Sequence, residues 1–390
     1  MDTRYTTTTA AALIAMTSGA DAYAAAPEVP AIEARSESDD VVRLGLLLQA
    51  TGSWGRQGDE PTGAQASWRR VRPKISATLL ERRLDVATQW SFTPRAVELL
   101  DAHAELEAAP ALRVRVGQYK IPFTRYRMGS IAELALVDWP RLTKFFGGER
   151  QLGVTAHSGW KGDGEWGYHV GVFTGSNARA AHGVGAPLLY GRARPNPSDL
   201  LEPGAPAPRG ALPEVVAHGS WRPVGEAGDA RGWRARLDAS VALDAGACAG
   251  EDTAARAALE ATVGVAGVTL TTVGYLGVLE RVADPGRHDL SLLGALGELS
   301  VHVAPVTTLA VRATALEVAE ATRRDVAADR DARGADHDVT HGERALAVGV
   351  KVDLWGDALV LGLDAELAER RLDSGSRRRV DARAQLQARF

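Results

Sequence analysis

Few residues of this chain have types and spacings suited to chemistry. His157 and His169 lie in TAHSGW and WGYHVGVF, where apolar and polar residues alternate. On adjacent strands they would face each other, and paired imidazoles can hold a metal ion or carry a proton. A metal centre needs a third ligand and a hydrolase needs a nucleophile; Ser158 follows His157 directly, so it points to the opposite strand face. Two histidines in a watery interior need no role at all. Cys248 is the single cysteine, which excludes an intrachain disulfide and a thiolate metal cluster. No glycine-rich phosphate cradle precedes a helix. The sequence therefore implies neither an enzyme nor a cofactor.

The other chemically suggestive set is basic. Arg70, Arg72 and Lys74 alternate along one stretch, Arg113 and Arg115 along another that ends at Lys120, and Arg43, Arg383 and Arg389 stand in similar alternating contexts. Cations on one face of a strand either bind anions or stand in water. With 40 Arg to 5 Lys the arginine excess itself reads as compositional bias, and a net charge of −4 excludes a polybasic nucleic-acid binder.

What must position these groups is a set of strands. At the C-terminus, RVDARAQLQARF puts Val380, Ala382, Ala384, Leu386, Ala388 and Phe390 on one parity and Asp381, Arg383, Gln385, Gln387 and Arg389 on the other. The same period recurs over 41–51, 64–78, 84–92, 97–107, 111–120, 149–158, 165–174, 212–222, 231–243, 257–265, 268–281, 288–303, 307–319, 342–355, 358–370 and 379–390. That predicts sixteen strands, each long enough to cross a bilayer at a tilt. The uncharged stretch 261–279 has the length of a membrane helix, but its Val, Thr and Gly content favours two strands turning at Ala266-Gly267. Short connections alternate with longer polar ones at 121–148, 175–211, 244–256 and 320–341, so the long ones fall at one end. Sixteen strands enclose a lumen too wide for side chains to fill, so the polar face must point inward and the apolar face must meet lipid. Trp90, Phe92, Trp166, Tyr168, Trp355 and Phe390 lie toward strand ends, where an aromatic girdle would sit.

The N-terminus resembles an export signal, with Arg4, an apolar run from Ala10 to Met16 and a small-x-small site at Ala22-Tyr23-Ala24. The expected organisation is a signal peptide over 1–24, a polar leader over 25–40 and a transmembrane β-barrel over 41–390.

One stretch carries a family resemblance. Gly117-Gln118-Tyr119-Lys120 with Pro122-Phe123, then Arg150 with Leu152-Gly153-Val154, then Tyr168 with Val170-Gly171-Val172-Phe173 and Gly175 resemble the phosphate-selective porin O/P family of Gram-negative outer membranes. The resemblance implies an all-β, sixteen-stranded antiparallel transmembrane β-barrel, usually a homotrimer, with the third external loop folded inward to narrow the pore. Residues 121–148 occupy that loop's place. Their Leu134, Leu136, Val137, Trp139, Phe145 and Phe146 are too apolar for a loop in water, which leaves packing inside the barrel or docking at a subunit interface.

In such a barrel the cations gain a setting. Arg383, Arg43, Arg70, Arg72 and Lys74 fall on neighbouring inner strands, Arg113, Arg115 and Lys120 follow, and Lys120 lies inside the family motif. The expected function is passive diffusion of small anions such as phosphate, in contact with outer-membrane lipid and without nucleic acid. Asp353, Asp364 and Glu366 on the opposing wall favour instead a nonselective porin whose lumen holds both signs. A surface binding scaffold or outer-membrane enzyme built on loops 175–211 and 320–341 is a third reading. A soluble secreted β protein is a fourth, and independence from detergent would mark it.

Overall fold

A computed structural model describes residues 32–35, 40–58, 60–93, 96–147, 150–160, 164–174, 213–224, 232–247, 252–280, 290–324, 327, 340–356 and 358–390. The expected signal peptide, the external stretch 175–211 and Cys248 lie outside them.

Alternating sequence becomes alternating exposure. The strands are β1 (Ile32–Arg35), β2 (Val41–Gln57), β3 (Glu60–Leu79), β4 (Leu84–Thr93), β5 (Ala96–Ala109), β6 (Leu112–Lys120), β7 (Arg150–His157), β8 (Trp166–Phe173), β9 (Glu214–Val224), β10 (Arg234–Ala247), β11 (Asp252–Val265), β12 (Val268–Glu280), β13 (Leu290–Ala304), β14 (Thr307–Val318), β15 (Thr340–Trp355), β16 (Leu359–Leu372) and β17 (Gly375–Arg389). From β2 to β17 each pairs antiparallel with its sequence neighbours, and β17 pairs with β2 to close a sixteen-stranded barrel. Pairing of β17 with β2 closes the sheet on itself, as a structure surrounded by lipid requires. Strand β1, within the segment read as a polar leader, pairs Ile32 to Arg35 with Leu44 to Val41, beside the part of β2 that β17 does not reach.

The apolar parity faces outward. Leu346 and Val348 of β15, Leu363 and Leu367 of β16, and Val170 and Val172 of β8 are all exposed on the outer surface. Phe92, Trp166, Tyr168, Trp355 and Phe390 are exposed as well, while Trp90 is half-buried. Phe390 ends the chain in register: its N–H donates to Leu46 O at 2.9 Å, and its own carbonyl accepts from Leu46 N at 2.8 Å. Ala266 and Gly267, both with positive φ, make the two-residue turn between β11 and β12.

Two expectations need correction. The connection expected over 244–256 is shorter, because β10 and β11 stay paired through Asp244↔Ala254 to Ala247↔Asp252 across a bulge. The inner face is also not uniformly polar. Tyr119, Phe173, Val216, Val273, Tyr275, Leu292, Leu296, Leu316 and Val318 point inward and form an apolar core with Ile121, Phe123, Leu142, Phe145 and Phe146 of the long connection after β6. That connection fills space the wall's own side chains leave open.

Candidate constriction site

The segment after β6 folds into the lumen. Pro122 offers no donor to continue the ladder, and Phe123 N turns back to Ile121 O at 2.9 Å. Three short helical pieces follow: α1 (Arg125–Met128), a 3-10 turn (Ile131–Glu133) and α2 (Arg141–Phe146). Thr124 caps the first by accepting from Arg127 N, and Ser130 with Glu133 forms a capping box on the second.

Glycines on the barrel wall seat this loop. A Cβ added at Gly277 would lie 2.9 Å from the Phe146 ring. At Gly294 it would lie 2.8 Å from Leu142, at Gly349 2.6 Å from Leu136, and at Gly362 3.3 Å from Val137. A larger residue at Gly277, Gly294 or Gly349, on β12, β13 and β15, would collide with the loop, and one at Gly362 on β16 would press tightly against it.

Polar contacts complete the seat. Tyr126 N donates to Glu260 at 3.0 Å and its hydroxyl to Glu298 at 2.8 Å. Val137 N donates to Asp364 at 2.9 Å, Arg141 pairs with Glu343 at 3.0 Å, and Arg256 donates to Phe146 O at 2.7 Å. Arg312 Nη1 reaches the Asp138 carbonyl at 3.0 Å.

The Asp138 carboxylate is the charge centre of the constriction. It binds Arg69, Arg70 at 3.3 Å and Lys144 Nζ at 2.6 Å. Burial alone would raise its pKa, but Lys144, Arg69 and Arg70 outweigh burial and hold the carboxyl well below the usual carboxylate range. Burial lowers Arg141 to about 10 despite Glu343, so it stays charged at neutral pH. Arg69 escapes simple parity, which would turn it to lipid. A bulge between Gln49↔Arg70 and Ala50↔Trp68 turns it inward beside Arg70.

The expected anion-contacting residues divide. Arg70 sits in the Asp138 cluster and also donates to Gln49 at 2.8 Å. Arg72 lies among the charges of Arg70, Arg150, Asp101 and Glu98, and its Nε has no hydrogen-bond partner among the described residues. Lys74 is exposed on the inner face. The Lys120 ammonium donates to the carbonyls of Arg127 at 3.2 Å and Gly129 at 2.7 Å, so its first role is to tie the loop to β6. The remaining four are each paired with a carboxylate. Arg43 pairs with Glu33 at 2.7 Å, Arg113 with Glu107 at 2.7 Å, Arg115 with Glu105, and Arg383 with Asp364 at 2.7 Å. Arg150, a motif residue not singled out as a contact, joins Arg72 and Lys120 and pairs with Asp101 at 2.8 Å.

A closed antiparallel barrel of sixteen strands with an apolar outer belt and charged side chains inside, beside an infolded loop, has the architecture of an outer-membrane porin. Solved structures agree on the fold. The outer-membrane channel DcaP of Acinetobacter baumannii superposes with a TM-score of 0.62 at 11% identity, covering 91% of this chain and 99% of that one. An anion-selective porin from Comamonas acidovorans gives 0.61 at 9% identity, covering 90% and 100%. OprB of Pseudomonas putida gives 0.56 at 8% identity, covering 90% and 94%. No family model matches the sequence, and no curated protein matches it either. The fold belongs in the outer membrane of a Gram-negative cell.

Proposed function

We propose that this chain is a passive diffusion channel that prefers small anions, with phosphate among them, and performs no chemistry. The observation that carries this reading is the charge balance at the constriction: three cations, Arg69, Arg70 and Lys144, share the single carboxylate of Asp138. Arg72 and Lys74 extend the positive surface along β3, and no ion pair joins either of them to a carboxylate among the described residues. Excess cations in a narrow passage attract anions and lower their barrier. The motif likeness around Lys120 supports membership of the phosphate-selective group, and that likeness carries the homotrimer with it as the proposed assembly. Sedimentation in detergent tests the trimer.

A salt gradient across planar bilayers holding the purified protein tests the selectivity. The reversal potential should have the anion-selective sign and grow as salt falls from about 1 M toward about 0.1 M, where the Debye length lengthens from about 3 Å to about 10 Å. Replacing Arg72 and Lys74 together by Glu should move it toward cations. A wild-type potential near zero favours the nonselective porin, whose specific support is the well-paired wall of Asp364 with Arg383 and Glu366 with Arg379.

A further inference from the structure

The outer wall is not apolar along its whole height. At the end that bears the long connection after β14, it carries Glu317 of β14, Arg344 of β15, Glu369 and Arg371 of β16, and Arg378 of β17. Each shares its parity with apolar residues exposed on the same strand, as Arg344 does with Leu346 and Val348 and Arg371 with Leu363 and Leu367. Register draws them together: Arg344 pairs with Glu369 and Glu369 with Arg378 in one row, and Arg371 with Gly342 and Gly342 with Glu317 in the next.

Two carboxylates serve these three guanidiniums. Arg344 lies 3.5 Å from Glu317, which also holds Arg371, and Arg378 lies 3.5 Å from Glu369. The three arginine side chains are 70%, 44% and 74% exposed, so water screens these pairs and a more highly charged anion can displace the carboxylates. Arg56 of β2, level with Val380 and exposed, adds a fourth cation to the rim.

Beside this rim the outer wall holds an apolar groove of about 860 Å³, a volume in the range of ligand clefts. Trp54 and Ala64 line it on β2 and β3, Ala382 and Ala384 on β17, and Val348 and Leu363 on β15 and β16. Val348 lies four residues along β15 from Arg344, about 14 Å at about 3.4 Å per residue, so an anionic head at the rim can leave its chain in the groove. On the opposite side of the barrel, the same end presents Val97 of β5, Leu152 of β7, Val172 of β8 and Val215 of β9 outward. A second copy of the chain would bury that uncharged sector at less desolvation cost, whereas the guanidinium sector calls for an anion.

We propose that the outer wall of β14 to β17 with β2 binds a phosphorylated, acylated glycolipid of the outer leaflet, the arginines holding its phosphate and the groove an acyl chain. A guanidinium offers phosphate two parallel hydrogen bonds, and several arginines together favour an anionic head over a zwitterionic one. The site rests on the outer-membrane placement of the barrel and not on conduction.

The test is native mass spectrometry of the purified protein in a neutral detergent with lipid A, its dephosphorylated form or phosphatidylethanolamine. Lipid A should stay bound, and the other two should bind about tenfold more weakly. Replacing Arg344, Arg371 and Arg378 together by Gln should weaken lipid A about tenfold, to the level of its dephosphorylated form, while Arg82→Gln at the far end of the barrel should change nothing. Ala382→Trp, which fills the groove, should weaken lipid A with every arginine in place. Should the triple variant fail to fold, Arg344→Gln alone makes the same comparison. Equal retention of lipid A and its dephosphorylated form by the wild type, or unchanged affinity in the arginine variants, overturns the site. Loss of a second copy of the chain, in place of lipid, when the arginines are replaced also overturns it and makes this face a subunit contact. Planar-bilayer current is read separately: conduction without lipid retention overturns this site alone, and lipid retention without conduction refutes the channel reading alone.

Discussion

Removing the charge of Asp138 would leave Arg69, Arg70 and Lys144 crowded around a neutral amide. Breaking a buried ion pair from one side costs about 3–5 kcal/mol, and because Arg69 and Lys144 are 30% and 42% exposed, water screens part of the loss. We expect Asp138→Asn to weaken loop anchoring by about 3 kcal/mol, seen as protease nicking within 125–146 and noisier single-channel current. The pH dependence has a definite sign. A carboxyl whose folded pKa is depressed contributes stability above its unfolded pKa near about 3.9 and loses it only as pH falls through the lower folded value. Wild-type loop protection should therefore persist at about pH 5 and fail only below the ordinary carboxylate range. At this scale the sequence was partly legible. Parity placed Arg70, Arg72 and Lys74 on the inner face correctly, but it could not show Arg69, since a bulge leaves no mark in the period. Nor could it show that Lys120 is engaged by carbonyls of its own loop, because backbone acceptors have no sequence signature.

Among the elements, the infolded loop depends on glycines that a strand pattern treats as weak positions. Gly294 lies beneath Leu142 and Phe146, at 2.8 and 2.9 Å from where its Cβ would stand. Gly294→Leu should push α2 off the wall at an overpacking cost of about 1–3 kcal/mol. The expected outcome is a higher single-channel conductance from a barrel that keeps its heat-modifiable mobility on a gel. A normal conductance would mean that the loop seat lies elsewhere. The loop's apolar residues announced that it must pack, and its place after β6 was legible. Its partners were not: Val137 meets Asp364 and Ala132 meets Gln387 across more than two hundred residues of chain, a register set only when β17 closes on β2. His218 is a similar case, because it meets His169 through the pairing of β8 with β9 across a connection whose length hides the register.

For the whole molecule, all sixteen expected barrel strands are present, since period-two alternation with an apolar outer face is what a lipid environment demands. Their ends were less legible: β2 runs on to Gln57 and β3 begins at Glu60, because backbone pairing continues in a hairpin after the apolar pattern stops. The outward parity makes a direct prediction. Val348 is 48% exposed on the outer wall, and Val348→Arg should impair insertion by about 2–4 kcal/mol if it lies near the bilayer midplane. Lys74→Glu on the inner wall should fold normally. Gly349 faces the lumen but cannot serve as that control, because Leu136 occupies its socket. Equal damage at Val348 and Lys74 in a folding assay would contradict the orientation of the barrel.

The central claim is that the barrel conducts and that residues 121–147 narrow it. The most direct test compares single-channel currents of the purified wild-type protein with those of a variant in which 125–146 is replaced by a short Gly-Ser linker. Wild type should give a steady conductance with anion preference, and the variant a several-fold larger one with that preference reduced, since it loses Asp138, Lys144 and the bulk of α1 and α2 from the lumen. Equal conductance and equal selectivity in the two, or no current from a folded wild-type barrel, would contradict the account.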